Sequence, residues 1–167
     1  MFRRFVSETY SIEDCIDYDL MTSASGKWVI PSAVGMCEYS SNGWKYGNAS
    51  SFQFIDLNNQ SYITDYSVEF KITDYNRGLS LYFENTSTSR VYLAETGGKY
   101  VINGNSTSIT VTTNDIVRLE YESTILKVYV NDTLIGNLNH NIGNAKVRLG
   151  TGNSRYIQMK DFKIKPL

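Results

Sequence analysis

The stretch "LKVYVNDTLIGNL", residues 126 to 138, alternates apolar and polar side chains on both sides of a polar pair. Asn131 and Asp132 belong to the residue types that tolerate positive φ, and a two-residue loop of that kind twists as its flanking strands do. The pattern predicts a hairpin in which Val130 faces Thr133, Val128 faces Ile135 and Leu126 faces Asn137. Tyr129 then opposes Leu134, and Lys127 opposes Gly136, on the other surface. Leu126, Val128 and Ile135 make an apolar stripe, and such a stripe needs a second layer to cover it.

Short alternating segments of the same sort run along most of the chain. They fall at 66–73, 79–83, 90–94, 99–102, 107–111, 116–122, 145–150 and 155–165. The connections "DYNRG", "ENTSTS", "ETGG", "NGNS" and "TTND" are rich in turn formers. This spacing predicts an antiparallel all-β sandwich or barrel with little helix. The one helical candidate, "SIEDCIDYDLM" at 11–21, fits an irregular strand equally well. In the last segment Ile157 and Met159 are apolar at odd positions, Phe162 and Ile164 at even ones. A bulge or bend near Lys160 and Asp161 would return both pairs to one face.

The chain has 167 residues, 41% hydrophobic and 20% charged, which suits a single domain over 1–167 that hides roughly 70% of its unfolded surface. The net charge of −1 gives no electrostatic drive toward nucleic acid. No segment approaches the roughly 20 apolar residues of a membrane span. The opening "MFRRFVSETY" carries too short an apolar run for a signal peptide, so no export is expected from it. Residues 1–12 read as a docking arm or as a first strand. Cys15 and Cys37 read as separate buried thiols, with a disulfide as the alternative. With His140 the only histidine, no structural zinc is expected, nor any other metal or cofactor. Trp28 and Trp44 read as core anchors of the first strands.

The run "NDIVRLEYESTILKVYVNDTLIGNL" with the later "DFKI" resembles the concanavalin A-like, or laminin G-like, jelly-roll superfamily. The likeness lies on Val117 to Glu120, Leu126 to Asn131, Asp161, Phe162 and Ile164, and it implies a two-sheet jelly-roll β-sandwich. The front end, through Asp14 and Cys15, Gly26 to Trp28 and Tyr39 to Lys45, looks like jelly-roll modules of phage and archaeal-virus structural proteins and of adhesins. That resemblance implies a virion setting, as a decoration, tail or fibre component. Its partners would be other virion proteins or a host-surface glycan, and a homo-oligomer would fit it.

Some members of the superfamily are glycoside hydrolases, and a retaining mechanism needs two carboxylates about 5 Å apart. No E-x-D-x-x-E run is present, and "EDCIDYD" lies ahead of the main strands. Glu120 and Glu122, beside Arg118, read as a solvated row. The sequence therefore predicts a non-catalytic module, with a glycoside hydrolase or a secreted carbohydrate-binding adhesin as the alternative. Strands 66–73, 79–83 and 90–94 are expected in one sheet, with Val68, Phe70, Ile72, Leu79, Leu81, Phe83, Val91 and Leu93 inward. On their outer side Tyr82, Arg90 and Tyr92, together with Glu69, would form a concave glycan-binding platform of rings and charges.

Overall fold

The computed structural model describes residues 28–57, 65–152 and 154–167. Within these the chain forms fourteen strands: β1 (Trp28–Val29), β2 (Met36–Ser40), β3 (Gly43–Gly47), β4 (Gln53–Leu57), β5 (Tyr66–Asn76), β6 (Ser80–Thr86), β7 (Ser89–Thr96), β8 (Lys99–Ile102), β9 (Asn105–Thr110), β10 (Ile116–Glu122), β11 (Ile125–Val130), β12 (Thr133–Asn139), β13 (Lys146–Thr151) and β14 (Tyr156–Pro166). They build two seven-stranded sheets, ordered β1-β4-β13-β6-β7-β8-β9 and β12-β11-β10-β5-β14-β3-β2. Every named strand pair is antiparallel. The architecture is the jelly-roll sandwich expected from the sequence. The helical candidate at 11–21, the possible arm at 1–12 and Cys15 lie outside the described residues.

Alternation along each strand sends one set of side chains into the space between the sheets. Val68, Phe70 and Ile72 from β5 meet Leu81 and Phe83 from β6 and Val91 and Leu93 from β7, all fully buried. Tyr66 on the second sheet packs edge-on to Phe83 on the first, ring centroids 5.2 Å apart, so an aromatic contact joins the layers. Each such side chain contributes about 1.5–3 kcal/mol on leaving water. Trp44 is also fully buried, as expected of an anchor, and its indole nitrogen donates to the Cys37 sulfur at 3.4 Å. Partial burial raises the Cys37 thiol pKa.

The opening hairpin forms at Asn131 and Asp132, whose φ values of 49° and 62° are those of a left-handed two-residue turn. Its register departs from the expectation after the first two pairs. The register shifts between Val128 and Tyr129, with Ile135 the extra residue on β12, so Val128 faces Gly136, Lys127 faces Asn137 and Leu126 faces Leu138. The reason is parity: without the extra residue Leu126 would oppose Asn137 and Leu138 would turn to water. The bulge lets both Ile135 and Leu138 pack against the core. In β14 the second irregularity falls between Lys160 and Lys163, with Asp161 at φ 55°. Phe162 and Ile164 thereby rejoin Ile157 and Met159 inside, as the change of parity required.

One placement differs from the sequence reading in a way that matters for function. Strand β5 does not neighbour β6 and β7; the chain crosses from one sheet to the other after Asn76, through Arg77 at φ 54°. Alternation reports which side chains face inward but not which layer carries them. The inward residues are therefore those expected, while the outward residues of β5 face the far side of the molecule.

Candidate functional site

The outer surface of the first sheet assembles its most distinctive side chains on four adjacent strands, β4, β13, β6 and β7. Pairing sets Asp56 opposite Arg148, Arg148 opposite Tyr82 and Tyr82 opposite Tyr92, so one row crosses all four. Beside it runs a second row, Lys146, Glu84 and Arg90. On the other flank Phe54 lies opposite Gly150. Phe52, just ahead of β4, folds over that glycine and leaves 48% of its surface exposed.

The rings form a continuous cluster. Phe52 and Phe54 meet edge-on at 5.0 Å, Phe54 and Tyr82 at 5.1 Å, and Tyr82 and Tyr92 lie tilted at 5.2 Å. Gly150 makes this possible. A Cβ there would stand 2.7 Å from Phe52 Cζ, 2.8 Å from Ser80 Oγ and 3.0 Å from Tyr82 Cε2. The missing side chain leaves room for two rings to lie close to the sheet.

Arg148 ties the polar half together. Its Nε and Nη2 donate to the two Asp56 oxygens at 2.5 and 3.0 Å, and its Nη1 donates to Glu84 Oε1 at 2.7 Å. The guanidinium plane also lies over the Phe54 ring, 3.8 Å from its centroid. The hydrogen bonds to Asp56, with a smaller effect from Glu84, raise the Arg148 pKa against the opposing effect of burial. The Glu84 side chain is only 10% exposed, and its second oxygen has no hydrogen bond and lies 3.7 Å from Arg90 Nη1. Arg90 in turn sits above Tyr82, 5.4 Å from the ring centroid.

Of the residues singled out from sequence, Tyr82, Arg90 and Tyr92 are thus brought together. Glu69 is not: it belongs to β5 in the second sheet, paired with Arg118 and Lys163, and its face is the opposite surface of the sandwich. The carboxylates that accompany the tyrosines are Glu84 and Asp56. Phe52, Phe54, Asp56, Glu84 and Arg148 were missed. The signal for the first three was the alternation in "FQFIDL", which places Phe52, Phe54 and Asp56 on one side and Ile55 on the other. For Arg148 it was a charged residue between Val147 and Leu149 in a predicted strand.

Other surfaces offer less. The outer face of the second sheet is an ionic weave in which Arg118 bonds Glu120 and stacks on Tyr129. A shallow neutral groove of about 220 Å³ between β9 and β12 is lined by Ile102, Ser106, Thr107, Gly136 and Leu138. It falls below the roughly 300 Å³ at which ligand pockets begin. Among the described residues no three His, Cys, Asp or Glu side chains converge as a metal set would.

No family model matches the chain, and no curated protein does. Solved structures do. The carbohydrate-binding module CBM66 from Bacillus subtilis is similar at 14% identity and a TM-score of 0.57, over 83% of this chain and 95% of its own. Crh5 transglycosylase, solved in complex with NAG, gives 12% identity and 0.64 over 95% and 84%. The exoplasmic/lumenal domain of VIP36, solved in a Ca2+/Man-bound form, gives 9% and 0.57 over 89% and 88%. The likeness is one of fold. It agrees with the concanavalin A-like resemblance that the hairpin and closing strand carry.

Proposed function

We propose that the chain is a non-catalytic carbohydrate-binding module whose ligand lies across β4, β13, β6 and β7. The observation that carries this reading is the row Asp56, Arg148, Tyr82 and Tyr92, flanked by the exposed ring of Phe52. Sugars present an apolar C–H face and a rim of hydroxyls. Clustered rings suit the first, and a fixed array of carboxylates and guanidiniums suits the second, because each holds planar donors or acceptors in place before the ligand arrives. The names of similar structures, a carbohydrate-binding module and an exoplasmic/lumenal domain in a Ca2+/Man-bound form, support the same ligand class.

The way the acids are held supports binding without bond cleavage. A glycosidase needs one carboxyl group to deliver a proton and a second to attack or to activate water. Here Asp56 and Glu84 are both bound to Arg148. The hydrolase alternative draws on the likeness to Crh5 transglycosylase, and release of reducing sugar from polysaccharide would favour it. For the setting, our reading is a module displayed on a virion or cell surface, where the platform meets host glycan. It rests on the front-end resemblance, of which Gly43 to Lys45 form the start of β3.

A glycan array read with the protein and with a Tyr82→Ala/Tyr92→Ala variant tests the binding reading. The expected result is a defined set of glycans bound by the first and lost by the second. Equal signals from both would overturn it.

A further inference from the structure

Resting on the reading of this face as a carbohydrate site, we infer that the sugar unit it takes carries a carboxylate, and that Arg90 holds it. The two guanidiniums of the platform are in different states. Arg148 has committed Nε, Nη1 and Nη2 to Asp56 and Glu84. The Arg90 guanidinium makes no hydrogen bond among the described residues. Its one ionic contact, 3.7 Å to Glu84, is beyond hydrogen-bond length, and 41% of its side chain is exposed. A guanidinium does not give up its charge, and its fork of donors matches the two oxygens of a carboxylate.

Position agrees with this. Arg90 sits over the Tyr82 ring, so a ligand carboxylate bound there belongs to a sugar packed on the same aromatic cluster. A neutral sugar would leave the donors of Arg90 to water. A hexuronate unit would use them.

The far face supplies the competing explanation for any polyanion binding. There Lys71 and Lys160 stand directly opposite each other on β5 and β14. The experiment measures retention of the purified chain in native gels containing polygalacturonate, alginate or hyaluronan. Each polymer is used before and after reduction of its carboxyl groups to alcohols, beside neutral polysaccharides and a sulfated galactan without carboxyl groups. We expect retention by at least one polyuronate, weakened at least tenfold by carboxyl reduction and by Arg90→Met, and unchanged in Lys71→Met/Lys160→Met. Equal binding to the reduced polymer, retention by neutral polymers alone, or equal binding to the sulfated polymer would overturn the carboxylate assignment and leave the carbohydrate reading standing. Loss in the lysine variant with retention in Arg90→Met would move the contact to the other face. Retention by no polymer, with no array signal, would overturn both readings.

Discussion

Gly150 separates the platform from the fold. Its φ is not in the left-handed region, so the backbone at this point accepts a side chain, and the cost of one is local. In Gly150→Val the new Cβ meets Phe52 Cζ at 2.7 Å and Tyr82 Cε2 at 3.0 Å, and the extra methyls reach further. Both rings are ends of side chains on the surface, so they move away and the sheet does not. The edge contacts of Tyr82 with Phe52 and Phe54 then weaken, at about 0.5–1.5 kcal/mol each. Replacing a strand glycine returns about 0.5–1 kcal/mol. The net loss of stability is about 0–2.5 kcal/mol, or a fall in Tm of at most about 10 °C for a chain of this size. Under the proposed reading glycan binding suffers more, because the sugar would lose the ring surface itself. The expected loss of affinity for the glycan that binds best on the array is about tenfold, close to 1.4 kcal/mol, with Gly150→Ala intermediate. Isothermal titration together with thermal melting measures both quantities. A folded Gly150→Val variant that binds within twofold of the parent would refute the reasoning, since the rings cannot keep their places above a valine.

Other consequences concern the scaffold. Asp115 is buried and accepts from Tyr100 Oη, Thr112 N, Thr112 Oγ1 and Asn131 Nδ2 at 2.7 to 3.0 Å, so Asp115→Ala strands several donors and costs about 3–5 kcal/mol by urea unfolding. In the hairpin turn, Asp132→Val at φ 62° costs about 1–2 kcal/mol while Asp132→Gly stays within about 0.5 kcal/mol, again by urea unfolding. Burial raises the Tyr46, Tyr66 and Tyr100 phenol pKa values above the ordinary 10, with the Asp115 hydrogen bond adding to the effect at Tyr100. The folded state then holds protons that the unfolded state releases. Their contribution is full below pH about 10 and falls above it, with a slope approaching about 4 kcal/mol per pH unit for three groups. Denaturation at pH 8 to 11.5 checks this, and stability unchanged above pH 10.5 would contradict it.

How far the sequence speaks for itself depends on which physical signal carries each feature. Period-two alternation fixes the inward set, and Val68, Phe70, Leu81, Phe83 and Leu93 are buried as it requires. The switch of parity at Lys160 and Asp161 announces its bulge because both sides are strongly apolar. The hairpin bulge was hidden, since Ile135 and Leu138 reveal it only once the register forces a choice between Asn137 and Leu138. Layer membership is not encoded in alternation at all. Glu69 was therefore placed beside Tyr82 when the chain carries it to the other sheet. The platform was only half legible for a related reason. Asp56 and Arg148 are separated by 92 positions and meet because β4 and β13 pair, an event that no local pattern signals.

Glycan is proposed to lie on the outer face of the first sheet. Backbone amide shifts recorded while a bound glycan is titrated into the labelled protein test it most directly. The largest changes are expected at Phe54, Asp56, Tyr82, Arg90, Tyr92 and Arg148, with Glu69, Arg118 and Lys163 on the opposite face unmoved. Changes centred on Glu69, Arg118 and Lys163, with Tyr82 and Arg148 unmoved, would contradict it.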